Sequence, residues 1–151
     1  MSIQKVNHSV WKAIDAQSLA VDGAGDNASS EWWDTNGWTD KVITAECTKA
    51  DGSGAIDINI NMLVSPKGYY ELRNETTVDT EDYQSIAIVD ALAVGTMTRY
   101  DAADVDDLQR PIRSMKLYVE NDNSADACTV NIWVEGWSCL LYTSPSPRDR
   151  S

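Results

Sequence analysis

The sequence predicts a single all-β domain, an antiparallel β-sandwich of jelly-roll type. Apolar and polar residues alternate with a period of two, most regularly over residues 55–65, as in strands with one buried face. Clusters of Gly, Pro, Asn and Asp separate about seven or eight such segments, which is typical of sandwiches. A length of 151 residues fits one domain with a full hydrophobic core.

The first strands are predicted in the amino-terminal half. Val10–Ile14 is the first candidate, and residues 42–47 form the second. In the third, residues 55–65, Ile or Met or Val occupies every even position from 56 to 64. Because turn-forming residues at 49–54 join the second and third segments, we expect these two strands to pair as a hairpin.

The middle of the chain is predicted to continue in short strands. Pro66 and Gly68 suit the second and fourth positions of a type I turn. Three strand candidates follow, at residues 69–73, 84–92 and 96–100. One stretch, residues 102–109, is predicted as a short helix with Asp101 as its N-cap.

A last hairpin is also strongly indicated by alternation. Apolar residues fall at odd positions of 115–119 and at even positions of 128–134, on either side of a polar loop at 121–126. We therefore expect these strands to pair. Tyr118 and Trp133 fall on their polar faces, which predicts one exposed aromatic row that contacts another subunit or sheet, or else is covered by a loop of the same chain.

Charge and composition exclude several classes of partner. The chain has 24 acidic and 12 basic side chains, a formal net charge of −12, so its surface repels nucleic acid and anionic lipid. No apolar run approaches the ~18 residues of a membrane span. The first eight residues contain no signal peptide pattern. We expect neither nucleic acid nor membrane as a partner.

Catalytic chemistry is poorly represented. His8, the only histidine, lies ahead of the first predicted strand, where a catalytic triad could not use it. Cys47, Cys128 and Cys139 lack zinc-site spacing. Cys47 and Cys128 are expected to be buried free thiols, with a disulfide between them left open. We expect no catalytic residue, no cofactor and no enzymatic activity.

An acidic loop offers weak calcium candidates. Four carboxylates, of Asp101, Asp104, Asp106 and Asp107, crowd one stretch, and oxygen ligands suit Ca²⁺. Their spacing does not match an EF-hand. A solvated acidic loop is therefore favoured, and no metal is predicted.

A tryptophan loop is the most unusual feature. Trp32, Trp33 and Trp38 fall within seven residues. They could plug one end of the sandwich, anchor a protein interface, or stack on sugar rings. Because the chain has six Trp and no Phe, tryptophan must do much of the ordinary aromatic packing.

The carboxyl-terminal residues differ in composition from the rest. The run from Cys139 to Asp149 resembles the conceptual translation of a transposase end joined to a sequencing adapter. On that resemblance, residues 139–151 are a non-native tail and residues 1–138 are the β-sandwich domain.

The segment from Pro111 to Glu120, followed by a polar loop and Cys128–Trp137, resembles the final hairpin of small virion proteins of tailed bacteriophages. The resemblance implies a sandwich that decorates or joins capsid or tail subunits. It implies other virion proteins and copies of itself as partners, in a virion assembled in the host cytoplasm.

The predicted function is therefore a non-enzymatic virion structural or accessory protein. The alternative is a carbohydrate-binding module that uses an exposed tryptophan loop, and a small hydrolase is a weaker one. The predicted interface residues are Trp32, Trp33, Trp38, Tyr118 and Trp133.

Overall fold

A computed structural model describes residues 2–49, 55–74, 83–123 and 126–143, with side chains for 8–49, 57–74, 83–123 and 126–138. The strands are β1 (Ser2–Leu19), β2 (Asn27–Ser29), β3 (Trp33–Asp34), β4 (Asp40–Lys49), β5 (Ala55–Ile56), β6 (Ile58–Ser65), β7 (Gln84–Val89), β8 (Leu92–Ala93), β9 (Thr98–Tyr100), β10 (Ser114–Asn121) and β11 (Cys128–Thr143). The helices are α1 (Tyr69–Asn74) and a 3-10 helix (Asp106–Gln109). Within these ranges, no helix has the length and apolar character to cross a membrane.

The strands form two antiparallel sheets packed face to face. Sheet A has the order β1-β11-β4-β9. Sheet B has the order β2-β10-β6-β7, and β3 also pairs with β10. The short β5 and β8 make a separate ribbon. With β3, β5 and β8 set aside, consecutive strands alternate between the sheets except for the neighbours β6 and β7. This is the double Greek key of a jelly roll, and it confirms the predicted fold class.

The core lies between the inner faces of the two sheets, where the alternating apolar residues meet. β4 contributes Ile43, Ala45 and Cys47, and β11 contributes alternate residues from Cys128 to Val134. From sheet B, β6 and β10 contribute Ile58, Ile60, Met62, Met115, Leu117 and Val119, all with no exposed surface. The period-two pattern therefore identified the inward side chains of the four central strands correctly.

The predicted hairpin partners are wrong. β4 pairs with β11 and β9, whereas β6 pairs with β10 and β7. β10 and β11 also lie in different sheets. A strand with one apolar face can bury it beside its neighbour in one sheet or across the core from it. The alternation is the same in both cases, so it does not select the partner. Part of the predicted turn at 49–54 lies outside the described residues.

The exchange of partners separates two predicted site residues. Tyr118 lies on the outer face of sheet B, and Trp133 lies on the outer face of sheet A. The prediction of one aromatic row is therefore wrong, because the thickness of the sandwich separates the two side chains.

Two local predictions also change. Residues 69–73, predicted as a strand, form the helix α1, which buries Leu72 against the outer face of sheet B. Of the short helix predicted at 102–109, only Asp106–Gln109 is helical, as a 3-10 turn, and its N-cap is Val105 and not Asp101. Asp101 instead accepts a 2.9 Å hydrogen bond from the amide of Ala103 and so shapes the preceding turn.

The first strand is longer than predicted. β1 pairs with β11 from Ser2 opposite Thr143 to Leu19 opposite Cys128, with irregular register near Ala16, whose φ is 45°. His8 therefore belongs to a strand and faces Trp137, contrary to its predicted place ahead of the sheet. The boundary after residue 138 stays a prediction.

Candidate functional site

Loops from three parts of the chain meet at one end of the sandwich. Thr35, which follows β3, donates through Oγ1 to the carbonyl oxygen of Ile112 at 2.7 Å. The Arg113 guanidinium donates to the carbonyl oxygen of Pro66 at 3.3 Å. These contacts bring the tryptophan loop, the loop before α1 and the loop before β10 together.

Trp32 lies outside sheet B, beneath α1. It packs with Leu63 and Leu72 and is 7% exposed. Tyr83 lies 6.1 Å away between ring centroids, and the Lys116 ammonium is 5.8 Å from the Trp32 centroid. Its ring nitrogen has no hydrogen-bond partner among the described residues. Trp32 thus helps to attach the helix to the sheet.

Trp33 points to the opposite side of sheet B from Trp32. β3 pairs Trp33 with Met115, an inward residue, so the indole lies at the end of the core. There it stacks on Trp11 of sheet A, with centroids 4.9 Å apart and planes 12° apart. Trp33 remains 39% exposed, so the stacked pair closes the core and still presents ring surface at the end of the sandwich.

Trp38 packs directly on the backbone of β11. A Cβ added to Gly136 would overlap the six-membered ring of the indole, so glycine is needed at this position. The preceding Gly37 has a φ of 90°, which lets the loop turn back, and the Trp38 amide donates to the carbonyl oxygen of Thr35 at 3.0 Å. The ring is half-buried and held in one place.

Two adjacent clefts open beside these rings. The first, of about 360 Å³, is lined by Ser9, Trp33, Asp34, Trp38 and Tyr69. The second, of about 400 Å³, is lined by Asp34, Asn36, Gly68, Tyr69, Tyr70, Glu71 and Arg113. Because both clefts share Asp34 and Tyr69, we treat them as one depression and call it the Trp33–Tyr69 groove.

The outer face of sheet A carries a second aromatic surface. Trp133 lies 5.1 Å from the Lys12 ammonium, and Trp137 stacks on His8 at 4.8 Å between centroids. Val10 lies between these two pairs on the same face and is 58% exposed. Glu135 accepts a 3.0 Å hydrogen bond from His8 Nε2. We call His8, Val10, Lys12, Trp133, Glu135 and Trp137 the sheet A face.

Sequence reasoning missed Trp137 and the groove residues on α1. Trp137 lies four residues after Trp133, which places both on one face of a strand, so parity could have identified it. Tyr69 and Tyr70 gave no comparable signal, because their helix was predicted as a strand.

Tyr118 is half-buried on the outer face of sheet B, beside the Trp32 cluster. Its hydroxyl lies 3.4 Å from a carboxylate oxygen of Glu120. Burial and the neighbouring negative charge raise the pKa of Tyr118. Its predicted interface role stays a prediction.

The acidic loop satisfies much of its own hydrogen bonding. Asp101 and Asp104 accept bonds from backbone amides of the loop, and Asp107 lies 4.0 Å from Arg110. In the part of the chain that the structure describes, no three His, Cys, Asp or Glu side chains are grouped as metal ligands. Asp101 and Asp104 thus take part in forming the turn, and the role of the four calcium candidates stays a prediction.

The two inward cysteines lie side by side as free thiols. Cys47 opposes Val130, and Cys128 opposes Lys49, so the thiols are diagonal neighbours on one face of sheet A. The adjacent Cys128 thiol and burial raise the pKa of Cys47, and the adjacent Cys47 thiol lowers the pKa of Cys128.

Lys41 is buried in the core and was not identified from the sequence. It continues the inward series of β4 and is 1% exposed. Its ammonium donates to the carbonyl oxygen of Arg110 at 2.7 Å. Burial lowers its pKa from 10.5 to about 8, although Asp40 acts in the opposite direction.

No protein-family model matches the chain, and a search of curated proteins gives no match. Solved structures do match. VP2 of infectious bursal disease virus, in its subviral particle, superposes with a TM-score of 0.51 at 13% identity, over 91% of this chain and 36% of VP2. The prophage SPBc2 protein YomS gives 0.42 at 11% identity, over 90% and 97% of the two chains. The CBM22-1–GH10 modules of Clostridium thermocellum xylanase 10B give 0.42 at 12% identity, over 88% and 25%.

The chain therefore spans about a third of the length of VP2. At this identity the likeness concerns the fold. The chain has a jelly-roll sandwich of the kind found in a virus particle protein.

Proposed function

We propose that this chain is a non-enzymatic virion structural or accessory protein that acts through subunit contacts. The observation that supports this most directly is the jelly-roll strand order, together with the fold that it shares with VP2 of a subviral particle. Jelly rolls also occur in lectins and in cupins, so the role has to be tested on this chain.

The sheet A face is our candidate for the contact surface. It is an antiparallel sheet surface with two half-buried indoles and an exposed valine, and aromatic residues are enriched where proteins bury area against one another. Its charged groups are engaged with its own aromatic rings or with each other, as Lys12 is with Trp133 and His8 with Glu135. Covering this face would therefore bury few unpaired charges.

The acidic exterior fits the same role. A net charge of −12 keeps copies apart except where an apolar surface overcomes the repulsion. Association would therefore strengthen as salt screens the charge.

The test is the oligomeric state of the purified chain. We expect mass photometry and light scattering to show a symmetric oligomer, with the fraction assembled rising with salt. Val10→Asp places a charge at the centre of the sheet A face, and Trp133→Ala removes an indole from it, so both should shift the protein to monomer. Tyr70→Ala, at the end of the sandwich, is the matched control and should assemble normally.

A chain that stays monomeric at every concentration and salt would contradict self-association. Equal loss of assembly in all three variants would exclude the sheet A face as the contact. The neighbouring genes in the source DNA give an independent check, since capsid, portal or tail genes are expected beside this one.

A further inference from the structure

We propose that the Trp33–Tyr69 groove binds a neutral oligosaccharide, a ligand that the virion role does not require. The feature that carries the proposal is a set of aromatic rings and free polar groups along one continuous depression. Its two clefts, of about 360 and 400 Å³, each fall within the size range of small-molecule sites, roughly 300–1,000 Å³.

The aromatic rings are fixed before any ligand arrives. Trp33 is held by its stack on Trp11, and Trp38 is clamped on Gly136. Tyr69 packs edge-on against Tyr70 at 5.3 Å. A pyranose presents a flat face of C–H groups, which packs on an aromatic ring, and rigid rings lose little conformational entropy on binding.

Polar groups line the same depression. Asp34 uses one carboxylate oxygen to accept a 3.0 Å hydrogen bond from the amide of Asn36, and its other oxygen has no partner among the described residues. The side chains of Asn36 and Glu71 are exposed and lie in the second cleft. Carboxylates and amides bind vicinal sugar hydroxyls, because each hydroxyl both donates and accepts.

The guanidinium of Arg113 adds donors at the far side of the groove. It lies against Gly68, where an added Cβ would come within 3.1 Å of Nη2, so the absence of a side chain at 68 leaves room for it. One of its nitrogens already donates to Pro66.

Charge indicates a neutral ligand. The groove lining carries Asp34 and Glu71 against Arg113, the Arg73 guanidinium lies 5.6 Å from the centroid of the Tyr69 ring, and the whole chain carries −12. Sugars that carry carboxylates or sulfates would be repelled, whereas neutral hydroxyls would not. Two adjoining clefts with a shared wall fit at least two linked sugar units better than a monosaccharide.

The experiment is calorimetric titration of the full chain with cellohexaose, mannohexaose and chitohexaose, with hexagalacturonate as the anionic comparison. We expect at least one neutral probe to bind with quenching of tryptophan fluorescence, and the anionic probe to bind weakly or not at all. Tyr70 is 72% exposed, so Tyr70→Ala should leave the fold intact and weaken binding about fivefold. Asp34→Asn should weaken it as well.

Trp133→Ala is the matched control, because it removes an indole on the sheet A face, away from the groove. The proposal is overturned if no neutral probe binds at about 1 mM, a weak-affinity limit. It is also overturned if Trp133→Ala weakens binding as much as Tyr70→Ala. Loss of assembly in Tyr70→Ala without any sugar binding would assign the groove to a protein contact and would overturn it too.

Discussion

The indoles of Trp11 and Trp33 stack almost in parallel across the end of the sandwich, 4.9 Å apart and inclined by 12°. Trp11 comes from β1 of sheet A, and Trp33 comes from β3 of sheet B. The pair therefore joins the two layers where the loops leave the core, and Trp33 also lines the Trp33–Tyr69 groove.

Removing either ring should destabilise the fold, by different amounts. Trp11 is 8% exposed, so Trp11→Ala should lower the free energy of unfolding by about 3–5 kcal/mol. Trp33 is 39% exposed, and Trp33→Ala should cost less, about 1–2 kcal/mol. In urea denaturation, the double variant should show a coupling of about 1 kcal/mol. Strictly additive effects would mean that the stack contributes nothing beyond burial.

Gly136→Ala should destabilise the protein although alanine is otherwise harmless in a strand. The new methyl group would meet the Trp38 ring and force it away, at a cost of about 1–3 kcal/mol. In the Trp38→Ala background the overlap disappears, so the same change should cost much less. Equal cost in both backgrounds, measured by urea denaturation, would contradict the clamp between ring and backbone.

Lys41 should make stability rise with pH in the alkaline range. Its pKa is about 8 in the folded protein and near 10.5 when exposed. Below pH 8 the lysine is charged in both the folded and the unfolded state, and burying that charge destabilises the folded state. As the pH rises from 8 to 10.5 the native state loses its proton first, and the penalty of about 3 kcal/mol disappears.

The comparison is with Lys41→Met, which fills the same space without charge. At pH 7 the variant should have the higher free energy of unfolding. The difference between the variant and the parent should shrink as the pH rises from 8 to 10.5. Tyrosines titrate in both proteins and cancel in the difference. A difference that does not change with pH would contradict the lowered pKa.

Cys128 should react with small alkylating reagents before Cys47. It borders a cleft of about 550 Å³ and its pKa is lowered by the adjacent Cys47 thiol, whereas Cys47 has no exposed surface. In a Cys139→Ser background, peptide mass spectrometry after iodoacetamide treatment should find label first on Cys128. Cys47→Ala removes the neighbouring thiol that lowers the pKa of Cys128 and should slow the reaction at a given pH. Label appearing first on Cys47 would refute the assignment.

The sequence predicted the layers better than the connections. Alternation identified the inward residues of β4, β6, β10 and β11, because burial of one face is a local property of a strand. It did not identify strand partners, since β10 and β11 are adjacent in sequence and lie in opposite sheets. The helix α1 was missed because Tyr69 and Tyr70 favour strands, and the packing of Leu72 beneath them is a tertiary effect.

The candidate sites show the same limit. Trp33 and Trp38 were identified because they cluster in the sequence, but the groove that they line also needs Ser9, Tyr69 and Arg113, which are far apart in the chain. The single aromatic row predicted from Tyr118 and Trp133 failed for the same reason, since parity assigns a face to each strand but not the sheet to which that strand belongs.

The position of β11 determines the order in which the two sheets can form during synthesis. It lies between β1 and β4, so the two halves of sheet A do not touch until β11 has left the ribosome. Sheet B can form earlier, because its strands β6, β7 and β10 are all synthesised before β11. The nascent protein therefore passes through an interval in which β1 and β4 expose unpaired edges, and that interval is when aggregation or capture by a chaperone would compete with folding.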